Sequence, residues 1–134
     1  MAAKTTTIKQ AEFIPAKPVQ VYDALINARK HAEFTGAKAT CDARVGGEFT
    51  AYDGYITGKI VELVRARKII QEWKTTEWPV GYPPSRLEFA FAEKDDGTEV
   101  TMVHSEVPEQ QAESYRQGWI DYYWNPLKEY FRKV

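Results

Sequence analysis

Residues 109–133 read EQQAESYRQGWIDYYWNPLKEYFRK, and this stretch decides the fold. At about 100° per residue, Ala112, Tyr115, Trp119, Tyr123, Pro126, Leu127 and Tyr130 fall on one broad face, with Ile120 and Phe131 beside it. The pattern predicts one long amphipathic helix whose aromatic stripe needs a surface to cover it. Pro108 closes whatever precedes the helix. Pro126 lies inside it, removes the bond to the Tyr122 carbonyl and predicts a kink.

Upstream of the helix, strands dominate. Runs at 38–43, 47–52, 55–64, 67–75, 85–93 and 98–107 are rich in β-branched and aromatic residues. Asp53-Gly54 and Asp96-Gly97 are hairpin turn signals, and Gly46-Gly47 marks a reversal or bulge. Residues 76–84 (TEWPVGYPP) hold too much Pro and Gly for a regular element and read as a loop. At the N-terminal end, 5–14 reads as a strand closed by Pro15. Pro18 suits a first helical turn, with Val21, Tyr22, Leu25 and Ile26 at helical spacing over 18–27. A second short helix at 29–34 stops at Gly36. The expected architecture is α+β. A curved antiparallel sheet of about seven strands surrounds one long C-terminal helix, and two short helices lie between strands one and two.

Composition narrows the chemistry. The chain has 134 residues, the size of one domain, and a formal net charge of −1 from 18 basic and 19 acidic residues. That balance argues against nucleic acid as a partner. No apolar run approaches the roughly 20 residues that span a bilayer, and Met1 to Thr7 lack the apolar core of a signal peptide. The lone Cys41 cannot pair within the chain, which points to a reducing cytoplasm. Two histidines and one cysteine give no metal-ligand spacing, and no glycine-rich nucleotide motif occurs, so no cofactor is expected. The surplus is aromatic: 4 Trp, 8 Tyr and 6 Phe, more than a core this small needs. Part of that surface is expected to line a cavity or an interface.

Taken in order, several short motifs point to a known family. They are Pro18-x-x-Val21-Tyr22-x-x-Leu25, Val45-Gly46-Gly47-x-Phe49, Gly58, Trp73, Trp78-Pro79-x-Gly81, Gly97-Thr98, Val107-Pro108 and Arg116-Gln117-Gly118-Trp119-x-x-Tyr122-Tyr123. Their order and spacing cover nearly the whole chain. The chain resembles the C-terminal domain of the activator of the 90-kDa heat-shock chaperone's ATPase, in the START-like (SRPBCC) helix-grip superfamily. The resemblance implies a helix-grip fold and a co-chaperone-like role in the stress response. The eukaryotic activators carry a further N-terminal domain central to ATPase stimulation, and this chain is all of the C-terminal type. Superfamily relatives hold sterols, lipids, hormones or polyketides between sheet and helix, and a minority are enzymes.

The candidate ligand-binding residues follow from these patterns. Trp119 and Tyr123 face the sheet, as core or as cavity lining. Trp73 lies on a strand, while Phe89 and Phe91 alternate with Glu88 and Ala90 and share a face with Leu87. Met102 and His104 share inward parity. His104 is either a hydrogen-bonded core histidine or, with Glu106, a general acid–base pair for cyclase- or hydrolase-like chemistry. Arg116 edges the apolar face beside Tyr115, as a solvated cation or as an anchor for a ligand carboxylate. Trp78 and Tyr82 in the loop are a plug or a docking surface. Cys41 reads as an inert strand residue, and His31, between Lys30 and Glu33, as exposed. The expected function is a non-enzymatic module holding a small apolar or amphipathic molecule between sheet and helix. The alternative is binding to the 90-kDa heat-shock chaperone.

Overall fold

The computed structural model describes residues 4–132, so Lys133, the last residue of the expected helix, lies outside the described residues. Seven strands form one antiparallel sheet: β1 (Thr5–Ile14), β2 (Thr40–Cys41), β3 (Glu48–Ala51), β4 (Ile56–Val64), β5 (Lys68–Thr75), β6 (Ser85–Lys94) and β7 (Gly97–Pro108). Their spatial order is β1-β7-β6-β5-β4-β3-β2. Helices α1 (Pro18–Ile26) and α2 (Ala28–Thr35) connect β1 to β2. Each expected strand is present, although the first run of the middle set shrinks to the two residues of β2.

Local chemistry sets the boundaries. Pro18 opens α1, whose first turn is closed by the Lys17 N–H donating to Gln20 Oε1 at 2.8 Å. Gly36 ends α2 in the left-handed region at φ 76°. The β6–β7 reversal lies one residue earlier than the expected Asp96-Gly97. Asp95 and Asp96 take the positive φ values, 48° and 62°, and Gly97 pairs with Lys94 as the first residue of β7. A Cβ on Gly97 would sit 2.5 Å from the Phe13 ring, so glycine there lets β1 close over the turn.

The C-terminal helix runs as a 3₁₀ turn (Glu109–Gln111), α3 (Ala112–Trp119), a π-turn (Ile120–Trp124) and α4 (Asn125–Arg132). The disturbance expected from Pro126 takes the form of the π-turn just before it. That wider turn brings the fifth residue round, so Trp124 joins Trp119 and Tyr123 in the core at 1% exposure. The Tyr122 carbonyl, which Pro126 leaves without its helical donor, accepts the Tyr52 hydroxyl at 2.6 Å.

The helix touches both sides of the sheet. On one edge the Gln10 Nε2 donates to the Arg116 carbonyl at 3.0 Å, and Trp124 Nε1 donates to Gln10 Oε1 at 2.6 Å. On the other side the Tyr52 turn reaches Tyr122. Laid flat, β1 and β3 would lie about 24 Å apart at the usual strand spacing, about twice a helix diameter. The sheet therefore has to curl round the helix, which is the helix grip. The core fills the concave side, with Ile8, Ile69, Leu87, Val100, Met102 and Leu127 all below 2% exposure. No helix of the described residues is long and apolar enough to cross a membrane.

Candidate functional site

The site begins at one wall of rings. Trp73 projects from the inner face of β5 and meets Trp119 with ring centroids 5.8 Å apart, Tyr115 at 5.3 Å and Trp78 at 6.0 Å. Trp119 in turn meets Tyr123 at 4.7 Å and Phe89 at 5.8 Å. Two spaces lie on either side of this wall. The inner one, within the grip, measures only about 20 Å³. It is bounded by Phe49, Gln71, Trp73, Phe89, Trp119 and Tyr123, among others. The outer one is an open cleft of about 430 Å³ between the helix and the β3–β4 hairpin. Its lining includes Tyr52, Tyr55, Trp73, Tyr115, Trp119 and Tyr123.

Hydrogen bonds hold each part of the wall in place. The Trp119 indole can only donate, so its 3.1 Å bond makes His104 Nδ1 an acceptor. The neutral ring then carries its proton on Nε2 and donates to Ser85 Oγ at 2.8 Å, and Ser85 donates onward to the Trp73 carbonyl at 2.6 Å. Both nitrogens of His104 are thus used, and burial without a counter-charge pushes its pKa down to about 3. At the helix start, Tyr115 donates to Gln111 Oε1 at 2.9 Å and lies 2.7 Å from Thr75 Oγ1. Gln111 Nε2 donates to the Glu77 carbonyl at 2.7 Å, and Tyr55 donates to the Glu77 carboxylate at 2.5 Å. Burial pushes the Tyr52 hydroxyl up to about 12, and burial followed by the Glu77 bond raises Tyr55, so both stay neutral donors.

His31 corrects its expectation. It is buried, because α2 packs against the helix. The Leu25 carbonyl accepts from His31 Nδ1 at 3.2 Å, so Nε2 receives the Tyr123 hydroxyl at 2.9 Å. Desolvation holds its pKa below the usual histidine value. Its partner lies 92 positions away, and the polar neighbours Lys30 and Glu33 gave no hint of it.

The expected site residues divide into groups. Trp73, Tyr115, Trp119 and Tyr123 line the cleft, while Phe89 joins Trp73, Trp119 and Tyr123 round the inner space. Met102 is fully buried core, and Phe91 packs edge-on against Tyr22 of α1 at 6.0 Å. Trp78 stacks on Tyr115 and donates its N–H to the Pro83 carbonyl at 3.0 Å, tucked in as a plug. Tyr82 reaches Gln110 at 3.3 Å. Arg116 turns outward to Glu113 at 3.3 Å and stands outside the cleft lining. Glu106 takes φ 60° in a bulge where β7 has an extra residue opposite Thr6 and Ile8. The bulge leaves Glu106 exposed while His104 is buried, so the two form no acid–base pair. Cys41 is half-buried, and desolvation raises its thiol to about 11, as an inert cysteine requires. Among the described residues no cluster of three His, Cys, Asp or Glu could hold a metal.

Sequence reasoning missed Tyr52, Tyr55, Tyr122 and Gln71. Two tyrosines flanking Asp53-Gly54 were a signal for the first pair. For Gln71 the signal was a glutamine at the inward parity of Ile69 and Trp73.

The profile described as "Activator of Hsp90 ATPase homolog 1-like protein" matches residues 15–132. The human activator of 90 kDa heat shock protein ATPase homolog 1 is 31% identical over 127 residues, covering 95% of this chain and 37% of that protein. The Dictyostelium discoideum homologue is 31% identical over 118 residues, covering 86% of this chain and 30% of that one. The chain therefore spans about a third of the length of these relatives. The crystal structure of an HSP90 activator from Plasmodium falciparum superposes with a TM-score of 0.87 at 21% identity, covering 94% of this chain and 96% of that chain. On the extent of these matches, the chain belongs to the family of Activator of Hsp90 ATPase homolog 1-like proteins.

Proposed function

We propose that this chain is a non-enzymatic binding module of its family and takes a small apolar or amphipathic molecule in the aromatic cleft. One observation carries the reading: a cleft of about 430 Å³, within the size range of small-molecule sites, has walls already fixed by their own bonds. Tyr52 is held by Tyr122, Tyr115 by Thr75 and Gln111, Trp119 by His104 and Tyr123 by His31. A wall fixed in advance loses little side-chain entropy on binding, so buried apolar area converts efficiently into affinity. The inner space of about 20 Å³ is too small for the body of any ligand, so the cleft is the seat. The setting is cytoplasmic, where Cys41 stays reduced. Native mass spectrometry of protein from its own host tests the reading, together with titration of an anilinonaphthalene sulfonate probe. A co-purified mass and a probe signal lost in Gly118→Phe, which fills the cleft, support it. No co-purified mass together with an unaltered probe signal overturns it.

A second reading is contact with a 90-kDa heat-shock chaperone. It is favoured by the relatives named as activators of that chaperone's ATPase, and by the Plasmodium falciparum activator, whose crystallised chain this one nearly covers. Val80, wholly exposed at the tip of the Pro-rich loop, is the side chain to test. Retention on immobilised chaperone at low salt, abolished by Val80→Asp, supports the contact; no retention counts against it.

A further inference from the structure

The inner space is lined by polar side chains whose hydrogen-bonding capacity is unspent. Gln71 is 6% exposed and projects from β5 on the same face as Ile69 and Trp73. Its amide makes no hydrogen bond to any described residue. Thr40 and Thr50, which share the space, bond to each other at 2.7 Å, and His31 is committed to Leu25 and Tyr123. No fully enclosed side-chain polar atom among the described residues lacks a partner, so the Gln71 amide keeps some accessible surface, and Gln71 lines the inner free space. The Trp73 indole N–H is likewise without a partner among the described residues, in a side chain 4% exposed. Buried amides and indoles are nearly always bonded, to protein or to water, so two groups without a protein partner on alternate residues of one strand mark a place that receives something.

Resting on the reading of the cleft given above, we infer that the Gln71 amide and the Trp73 N–H form a head-group subsite for the polar end of the cleft's ligand. The two spaces share Trp73, Trp119 and Tyr123 as a common wall. A ligand body in the cleft reaches the subsite only by passing one narrow end between the rings of that wall. The inner volume of about 20 Å³ admits an oxygen and little more. The charge of that end follows from the lining, which contains no lysine, arginine or acid. His31 stays neutral there, its pKa held down by burial. A carboxylate or ammonium would be buried without a counter-charge, whereas a neutral carbonyl or hydroxyl oxygen can accept from an amide or indole N–H. The ligand class is a flat apolar body with a single neutral carbonyl, amide or hydroxyl at one end.

Three naphthalene probes separate the possibilities: 2-acetylnaphthalene, naphthalene and 2-naphthoate, each titrated calorimetrically and by ¹H–¹⁵N spectra. The ketone is expected to bind about tenfold tighter than naphthalene, and the carboxylate weaker than either. The Gln71 side-chain amide and Trp73 indole resonances shift with the ketone alone. Gln71→Leu abolishes the ketone's advantage and leaves naphthalene unchanged. If none of the probes binds, the cleft reading itself falls. If all bind equally in both proteins and the Gln71 amide does not move, the subsite is a water pocket only and this inference is overturned while the cleft reading stands.

Discussion

His104 and Gln71 are two buried polar side chains facing the same concave surface, and they are opposites. His104, on β7, spends both ring nitrogens, on Trp119 and Ser85, and ties helix to sheet. Gln71, on β5, spends nothing on its neighbours. A satisfied buried network specifies structure, and every group in it is committed. A polar group that keeps accessible surface and no protein partner stays free to meet a ligand or a water. The difference separates scaffold from site in a way that burial alone cannot, since both residues lie in the same aromatic interior.

Acid should break the scaffold half of this comparison first. The His104 pKa is about 3 in the fold against 6.5 in the unfolded chain, so below about pH 6.5 the unfolded chain binds the extra proton. Stability is full above that value, falls as pH drops through the window and levels off below about 3. The loss between 6.5 and about 4.5 is about 2 kcal/mol, measured by urea unfolding at each pH. His31, also depressed, acts in the same direction. The His104→Leu variant separates the contributions, because its stability should decline with a shallower slope. An unchanged slope would mean that His104 titrates normally.

At neutral pH the same His104→Leu change should cost about 2 kcal/mol. Volume is nearly kept, so the loss comes from stranding the Trp119 N–H in a dry interior. Coincident unfolding midpoints for variant and wild type would show that the bond contributes nothing. A smaller effect is expected at Tyr52→Phe, about 1 kcal/mol, since the Tyr122 carbonyl loses its donor beside solvent. Pro126→Ala supplies a backbone N–H to the helix, so the double variant should recover part of that loss. Amide exchange over 120–124 should quicken in Tyr52→Phe alone.

How much of this was legible in sequence follows the range of the cause. Strand existence, the αL stop at Gly36 and the aromatic helix stripe come from local pattern, and they hold. Pro126 announced a disturbance, but not its form as a π-turn that brings Trp124 inward, where the freed Tyr122 carbonyl meets Tyr52, a residue 70 positions away. Parity placed Glu106 with His104, and one extra residue in β7 opposite β1 undid it; a bulge has no periodic signature. His31 read as exposed because its neighbours Lys30 and Glu33 are polar, while it packs against Tyr123 from the far end of the chain. Gln71 was visible as a polar residue at an apolar parity. Whether such a residue is paired depends on the geometry of the strands on either side.

Gln71→Leu is the smallest expected change in stability and the sharpest test of the comparison. A glutamine bonded within the protein would cost about 1–3 kcal/mol on replacement by leucine, because its former partner would be stranded. Gln71 has no partner to strand. Leucine is close in size and carries no amide that must lie next to rings of Phe49, Phe89 and Trp119. The variant should therefore unfold within about 0.5 kcal/mol of wild type, or slightly later. Paired with the loss at His104→Leu, that result would show that the interior holds one polar group for folding and another for something else. A loss above about 1 kcal/mol would place Gln71 with His104 in the scaffold, and the head-group subsite would lose its basis.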